Sequence, residues 1–466
     1  MITQLDEVLS RLTKLPPKEL EALQRIHEDV RSKQIWIPNP GPQTDAYLNE
    51  ADEILFGGEA GGGKALSLDT PIPTMHGWST MGELQVGDKV FDESGHPCTV
   101  IAKSRVITEP AYRITFSDGS EIIADPRHQW VTSTYLERMR RLRSSQEWLA
   151  TRRLNREKRG TGKKPWLAER NAMQAHGRNL PYSAIRTTEQ IASSLRIKQR
   201  VNHSISVCGA LEIPDADLLI DPYVLGAWIG DGSSHGGSIT GIDNEVFQNI
   251  ANAGYTISAR SSPVTPGILG LQKQLRILGL LGNKHIPPAY LRSSRDQRLS
   301  LLQGLMDTDG YCDTRGQCEF TTTNRRVADD AHELISSLGI KVSIREGDAK
   351  LNGRVISKKY RLKLITELPA FRLSRKLIRQ KRSGFRGTHD RRYIVSCEQV
   401  DPVPMQCIQV DSPNKMYLCG RSMIPTHNSD LLIGLSLTAH ERSLILRRTN
   451  KESEKLVDRY MEIMQT

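Results

Sequence analysis

The chain has 466 residues, which at roughly 150 residues per domain excludes a single small domain. Charged residues at 25% and hydrophobic residues at 38% exclude a membrane-spanning protein and a charge-saturated disordered one. Lys and Arg number 64 against 53 Asp and Glu, a formal +11; residues 136–200 alone carry 17 basic and 5 acidic residues, a local surplus that points to a polyanion such as nucleic acid.

In chain order, the first informative segment is ILFGGEAGGGK, residues 54–64, a short apolar run opening into a glycine-rich turn. It follows the phosphate-loop pattern from Gly58 through Gly63 and Lys64, with glycines that let backbone N–H groups cradle phosphate oxygens. The hydroxyl that should ligate Mg²⁺ is missing, because Ala65 comes next, and LSLDTPIPTMHGW is no helix. The required helix lies far downstream, after Asn428, where Ser429 opens DLLIGLSLTAH. Deleting 65–428 restores GEAGGGKSDLLIGLS with Ser429 in the metal-binding place. ATP phosphates are therefore expected at Gly58, Gly63, Lys64 and Ser429 only after the insert is gone.

Asn before a hydroxyl residue can cyclise on its own carbonyl and cut the chain, with a neighbouring His as acid and base; His427-Asn428-Ser429 is such a site. With ALSLDTPIPTMHGWSTMGELQVGDKVFDESG, FSDGSEIIADPRHQW and VPMQCIQVDSPNKMYLCGRSMIPTHN, the segment 65–428 resembles inteins. Most inteins start on Cys or Ser, whereas this one starts on Ala65. Two explanations stand: an engineered Cys-to-Ala change, or the intein class that natively lacks this nucleophile and is marked by a Trp, a Cys and a Thr. The second fits Trp130, Cys407 and Thr426. The resemblance implies that Cys407 attacks the Lys64 carbonyl and that His128 protonates the departing Ala65 amine. Trp130 and Thr426 shape the pocket, and Asn428 cyclises with help from His427 while Ser429 takes the acyl group. Asp125 stands where many inteins carry Thr. No cofactor is implied for splicing.

Between the splicing blocks lies an internal repeat. PYVLGAWIGDG and LLQGLMDTDG each place a Gly (226, 304) five residues before an Asp (231, 309), 78 residues apart, and each copy continues into a polar-alternating segment and an amphipathic helix. Small residues Gly226, Gly230, Gly304 and Thr308 predict close helix packing that brings one Asp from each helix end together, and the following glycines are expected as left-handed caps. The repeat resembles a LAGLIDADG homing endonuclease. That resemblance implies a strand saddle for the DNA major groove, Mg²⁺ held by Asp231 and Asp309, and Lys284 as an active-site charge. The basic stretches 136–200 and 372–392 are expected to grip phosphates.

The flanks resemble the ATPase start of phage terminase large subunits, which act with other packaging proteins; at 102 residues they are expected to be a fragment that would need ATP and Mg²⁺ only as the mature host. Seven scattered cysteines without a C-x-x-C pair and no leader or long apolar run give a monomeric, cytoplasmic precursor off the membrane. The expected fold class is multidomain: an all-β HINT horseshoe interrupted by an α+β pseudo-two-fold endonuclease, with α/β P-loop fragments at both ends. The expected boundaries are 1–64 and 429–466 for the flanks, 65–135 and 371–428 for the splicing domain, 136–210 for a basic DNA-contacting insert and 211–370 for the endonuclease. Its DNA would be the intein-free allele. Competing readings are a splicing-dead precursor that keeps the nuclease fold for DNA binding, and a plain P-loop ATPase or DNA-binding module with a structural insertion.

Overall fold

The computed structural model describes residues 65–144, 183–258, 264–351, 354–380 and 389–427. The chain divides into one unit of Glu59–Asn428 and another of Met1–Gly58 with Ser429–Thr466. Gly58, Gly63, Lys64, Asn428, Ser429 and the flanks expected to be α/β lie outside the described residues.

The part expected to splice is built from short antiparallel strands: β1 (Leu66–Ser67), β2 (Pro71–Thr74), β3 (Gly77–Thr80), β4 (Lys89–Phe91), β5 (Pro97–Lys103), β6 (Ile107–Phe116), β7 (Glu121–Ala124) and β8 (Gln129–Thr132). Helix α1 (Tyr135–Ser144) follows; the chain is described again from residue 183, with β9 (Ala184–Thr187), α2 (Thr188–Ser193), the hairpin β10 (Arg196–Ile197) and β11 (Arg200–Val201), and β12 (Ser204–Ser206). Here the structure corrects the expected 136–210 insert. β9 pairs with β8 and β12 joins the main sheet, so the splicing fold has already resumed at Ala184. Two basic side chains among the described residues of this stretch contact protein: Arg186 pairs with Glu137, and Arg138 donates to the carbonyls of Ser133 and Asn202.

The part expected to be a nuclease comprises α3 (Pro222–Asp231), α4 (Asn244–Asn252), β13 (Ile257–Ser258), β14 (Gly267–Ile268), α5 (Leu271–Ile277), α6 (Pro288–Leu291), α7 (Arg295–Asp309), β15 (Gly310–Cys312), β16 (Cys318–Thr322), α8 (Arg325–Ser337), β17 (Val342–Leu351), β18 (Arg354–Leu364) and α9 (Ser374–Leu377). Helix α3 starts on Pro222, with Asp221 accepting from the amides of Tyr223 and Val224. Its residues Tyr223–Ile229 are buried on every face, as a central helix demands. It crosses α7 in near backbone contact. A Cβ on Gly226 would lie 2.3 Å from the Leu301 carbonyl, and one on Gly304 2.2 Å from that of Tyr223, so no larger residue fits either place.

The two halves differ more than the repeat predicts. The second builds the four-stranded sheet β15-β16-β18-β17, whereas the first has only the β13–β14 pair and isolated bridges among the described residues, because GSSHGGSITG is dense in Gly and Ser, which hold strands poorly. The chain then returns to the splicing part at β19 (Arg391–Gln406), not at residue 371, and ends in β20 (Ile408–Val410), β21 (Met416–Cys419) and β22 (Ile424–His427). β19 belongs to the sheet β1-β7-β6-β19-β12; its pairing with β6 shifts register between Val400 and Val403, where Pro402 cannot donate to the ladder.

Candidate active sites

The register of β1 against β19 places Leu66 opposite Gln406 and Ser67 opposite Met405. One step further along that register Ala65 faces Cys407, and the two share a small buried apolar cluster with Ala111 and Met405. Directly opposed residues carry Cβ atoms roughly 4.5–5.5 Å apart. Ser104 brackets Cys407: its hydroxyl accepts from the Cys407 amide at 3.1 Å, and its own amide donates to the Cys407 carbonyl at 2.9 Å.

The turn before β8 is closed by Asp125. Its amide donates to the Ala65 carbonyl and its carbonyl accepts from His128, both at 3.0 Å. One carboxylate oxygen accepts from the Arg127 amide at 2.7 Å. The other is buried and unpaired, and burial raises the acid above the usual carboxylate range. His128 shares a short hydrogen bond between Nε2 and the Thr426 hydroxyl. Its ring meets Trp130 edge-on at 4.8 Å, and Trp130 Nε1 is anchored on Thr188 Oγ1 at 3.0 Å. All three of His128, Trp130 and Thr426 are fully buried. His427 closes the end of β22 through a hydrogen bond between Nδ1 and Gln129 Oε1 at 3.2 Å, the ring nitrogen donating. The structure thus brings together Ala65, Asp125, His128, Trp130, Cys407, Thr426 and His427; Asn428 and Ser429 lie outside the described residues.

The second site forms where α3 and α7 end side by side. A Cβ on Gly230 would stand 2.1 Å from Thr308 Oγ1 and 3.5 Å from Asp309 Oδ2, so the Asp309 carboxylate sits against the end of α3. Asp231 and Asp309 are close enough to repel. Burial first and the Asp231 charge second push Asp309 up to about 6, although solvent reaches its outer face, and burial raises Asp231 also. Lys284 and Lys376 oppose both shifts. Each lysine crowns one helix: Lys284 Nζ donates to the carbonyls of Ile229, Gly230 and Gly232, and Lys376 Nζ to those of Met306, Asp307, Thr308 and Gly310. Cations at helix C-termini complement the dipole. Gly232 and Gly310 are not left-handed caps, with φ −75° and −88°; glycine is required because a Cβ would lie 2.3 Å from the carbonyls of Trp228 and Met306.

Sequence reasoning missed Ser104, Thr188 and Lys376. It read 372–392 as a phosphate grip, but Lys376 is buried on helix carbonyls and Arg392 is fully buried on Asp118 at 2.5 Å. Arg375 pairs with Asp243, and Arg372 donates to Gln303 and Ser300. Lys376 and Arg392 are thus spent on protein, whereas Arg372 and Arg375 stay exposed to solvent and residues 381–388 lie outside the described residues. Among the described residues no group of three or more His, Cys, Asp or Glu is arranged to hold a metal, and the seven cysteines are free thiols. Asp309 lines an open cleft of about 560 Å³ together with Lys284, Thr321, Asn324 and Lys359, and Asp231 lines a smaller cavity of about 50 Å³; a carboxylate pair of this kind fits a hard cation that takes its remaining ligands from water and phosphate.

Residues 296–400 match the LAGLIDADG-like domain family. The replicative DNA helicase DnaB of Mycobacterium intracellulare is 38% identical over 412 residues, 86% of this chain and 66% of that protein; its Mycobacterium leprae counterpart is 42% identical over 97 residues, 21% and 16%. The chain thus spans just under two thirds of the first relative and about a sixth of the second. A crystal structure of the MchDnaB-1 intein covers 78% of this chain and all of its own at 16% identity and a TM-score of 0.24. A variant of the homing endonuclease I-DmoI, in complex with its target DNA in the presence of Mn, covers 34% and 90% at 17% identity and 0.23. These relatives overturn the expected phage terminase host and its packaging partners: the curated match is to a replicative helicase, and its 86% coverage exceeds the 78% of this chain that 65–428 makes up. Residues 296–400 are thus similar to LAGLIDADG-like domains, and the likeness to a solved intein spans 78% of the chain.

Proposed function

We propose that this chain is a self-splicing precursor that excises residues 65–428, joins Lys64 to Ser429, and carries within the excised part a metal-dependent, site-specific DNA endonuclease. The observation that supports splicing most directly is the register that sets Cys407 opposite Ala65, with His128 held beside the same junction through Asp125. Ala65 has no nucleophile, and Cys407 is placed to supply one. Its sulfur, after loss of the thiol proton, bonds to the Lys64 carbonyl carbon. The bond from that carbon to the Ala65 nitrogen breaks, and the nitrogen gains a proton from His128. The acyl group passes to the Ser429 oxygen. The Asn428 side-chain nitrogen then bonds to its own carbonyl carbon with His427 as acid and base, the bond from that carbon to the Ser429 nitrogen breaks, and an O-to-N shift onto the freed amine leaves a normal peptide. Every atom comes from the chain itself, and no cofactor enters.

In the endonuclease, Asp231 and Asp309 would hold a divalent cation, Mg²⁺ in this reading, which when bound activates water and steadies the leaving oxygen of a phosphodiester. Lys284 and Lys376 hold the helix ends that aim the two carboxylates. The substrate is double-stranded DNA of the uninterrupted host gene, which in this reading encodes a replicative helicase of the DnaB kind, and the precursor works in the cytoplasm. Intact-mass measurement of the full chain over time tests the first half: fragments of 364 and 102 residues are expected, and Cys407→Ala should abolish scission after Lys64. Unimpaired ligation by Cys407→Ala would sink the assignment.

A further inference from the structure

Cys312 on β15 and Cys318 on β16 face each other across an antiparallel pair, and their sulfurs are 3.7 Å apart. The next residues out, Asp313 and Gln317, share a backbone hydrogen bond of 2.9 Å. The two cysteines therefore occupy the non-hydrogen-bonded place beside it, where Cα atoms stand about 4.5 Å apart, within the range that a disulfide spans. Both thiols are buried, yet they lie at the end of the hairpin and lean on its loop. Cys312 Sγ reaches the Asp313 carbonyl at 3.7 Å, and Cys318 Sγ the Gly316 carbonyl at 4.0 Å. Thr314 and Arg315, at the tip of that loop, are exposed. Burial raises both thiols above their usual range, so they are inert while the loop is closed and become nucleophiles when it opens. Neither takes part in the two sites described above.

We propose that Cys312 and Cys318 are a reversible thiol–disulfide site, oxidised by a small-molecule disulfide such as glutathione disulfide. One cysteine, its proton lost to solvent, attacks a sulfur of the reagent; a mixed disulfide forms, and one small thiolate leaves and takes up a proton. The second cysteine, its own proton lost, attacks the protein sulfur of the mixed disulfide and expels the other small thiolate, which is protonated in turn. Two protein thiols are thus oxidised to one disulfide while the reagent is reduced to two thiols. The new bond clasps the hairpin that leaves Asp309. Its strand β15 starts at Gly310, whose carbonyl accepts from Lys376 Nζ at 2.7 Å, and β16 ends in Thr321 and Thr322 on the cleft wall. A link at the far end of this hairpin restricts the unfolded chain and fixes the register of the two strands.

The full chain is equilibrated with mixtures of reduced and oxidised glutathione at about pH 8, near the pKa of a free thiol, and the remaining thiols are blocked by alkylation. Trypsin then cuts after Arg315, which puts the two cysteines on separate peptides, residues 299–315 and 316–325. Mass spectrometry should find these peptides joined with the loss of two hydrogens, and excess reductant should return both as free thiols. The Tm of the oxidised chain should exceed that of the reduced chain by about 5 °C, and Cys312→Ser should show no such rise. The peptide map needs no variant, so it decides the question even where Cys312→Ser folds poorly. Absence of the joined peptides from the folded chain, or their appearance only in denaturant, overturns the proposal. So does a Tm that stays level or falls when the peptides are joined. An equal rise in Cys312→Ser would assign the effect to other thiols and overturn it as well.

Discussion

The splicing pocket is assembled from an imidazole, an indole, a thiol and a hydroxyl, all buried around Ala65, whereas the cleft between α3 and α7 gathers two carboxylates and two ammonium groups. The pocket holds Cys407 in one apolar cluster with Ala65, so the proposed chemistry needs only proton movement between groups held close by the fold. The cleft is electrostatically incomplete. Its lysines donate to helix carbonyls and only partly offset the burial and mutual repulsion that raise its carboxylates. The difference teaches that one chain can bury a thiol, an imidazole and a hydroxyl in one part and set paired carboxylates beside an open cleft in another. The two are joined by a few named contacts, such as Trp78 Nε1 to Glu333 at 2.7 Å and Arg292 Nε to the Thr74 carbonyl at 3.1 Å.

Those contacts are where the comparison can break. Asp231→Asn or Asp309→Asn should lower DNA cutting at least about a hundredfold, and chelation of divalent cations should do the same, while ligation of the flanks proceeds at its normal rate. Plasmid cleavage and intact mass on one preparation read both. Ligation that fell together with cutting would mean that the two centres are not separable. A smaller effect is expected from Gly304→Ala, whose Cβ would lie 2.2 Å from the Tyr223 carbonyl and 2.7 Å from the Ala227 amide. Forcing α3 and α7 apart should cost about 1–3 kcal/mol, seen as an earlier unfolding transition by calorimetry. If that transition moves without slowing splicing, the nuclease part unfolds as a unit of its own.

The sequence made the parts that depend on local spacing legible: the glycine-spaced helices and the two acids that end them. It hid what depends on tertiary placement. Lys376 plays for α7 the part that Lys284 plays for α3, but it stands 67 residues after Asp309 where Lys284 stands 53 after Asp231. It also sits in a run of basic residues whose other members read as surface. Thr188 lies 58 residues from the indole it anchors, and Arg392 lies 274 from its partner Asp118; neither separation leaves a pattern. Gly232 and Gly310 were misjudged because a glycine after a helix suggests a left-handed cap. Here the requirement is the close approach of a backbone carbonyl, which no single-strand pattern records.

The smallest effect concerns the cleft's own titration and sharpens its contrast with the pocket. Asp309 is raised from 3.8 to about 6 by burial and by Asp231, so the folded chain binds its proton more tightly than the unfolded one. Stability from this group is therefore present below about pH 4 and is lost as the pH rises through about 6, the reverse of a salt-bridged aspartate. A bound divalent cation should abolish the loss, because it favours the ionised pair. Without added metal, the Tm of the nuclease transition should fall slightly between about pH 4 and about pH 6 relative to Asp309→Asn, which cannot titrate. Addition of Mg²⁺ or Mn²⁺ at about pH 7 should raise the Tm of the native chain and not that of the variant. Equal responses from the two would show that the cation binds elsewhere, and that the paired carboxylates are tolerated for packing and not kept to receive it.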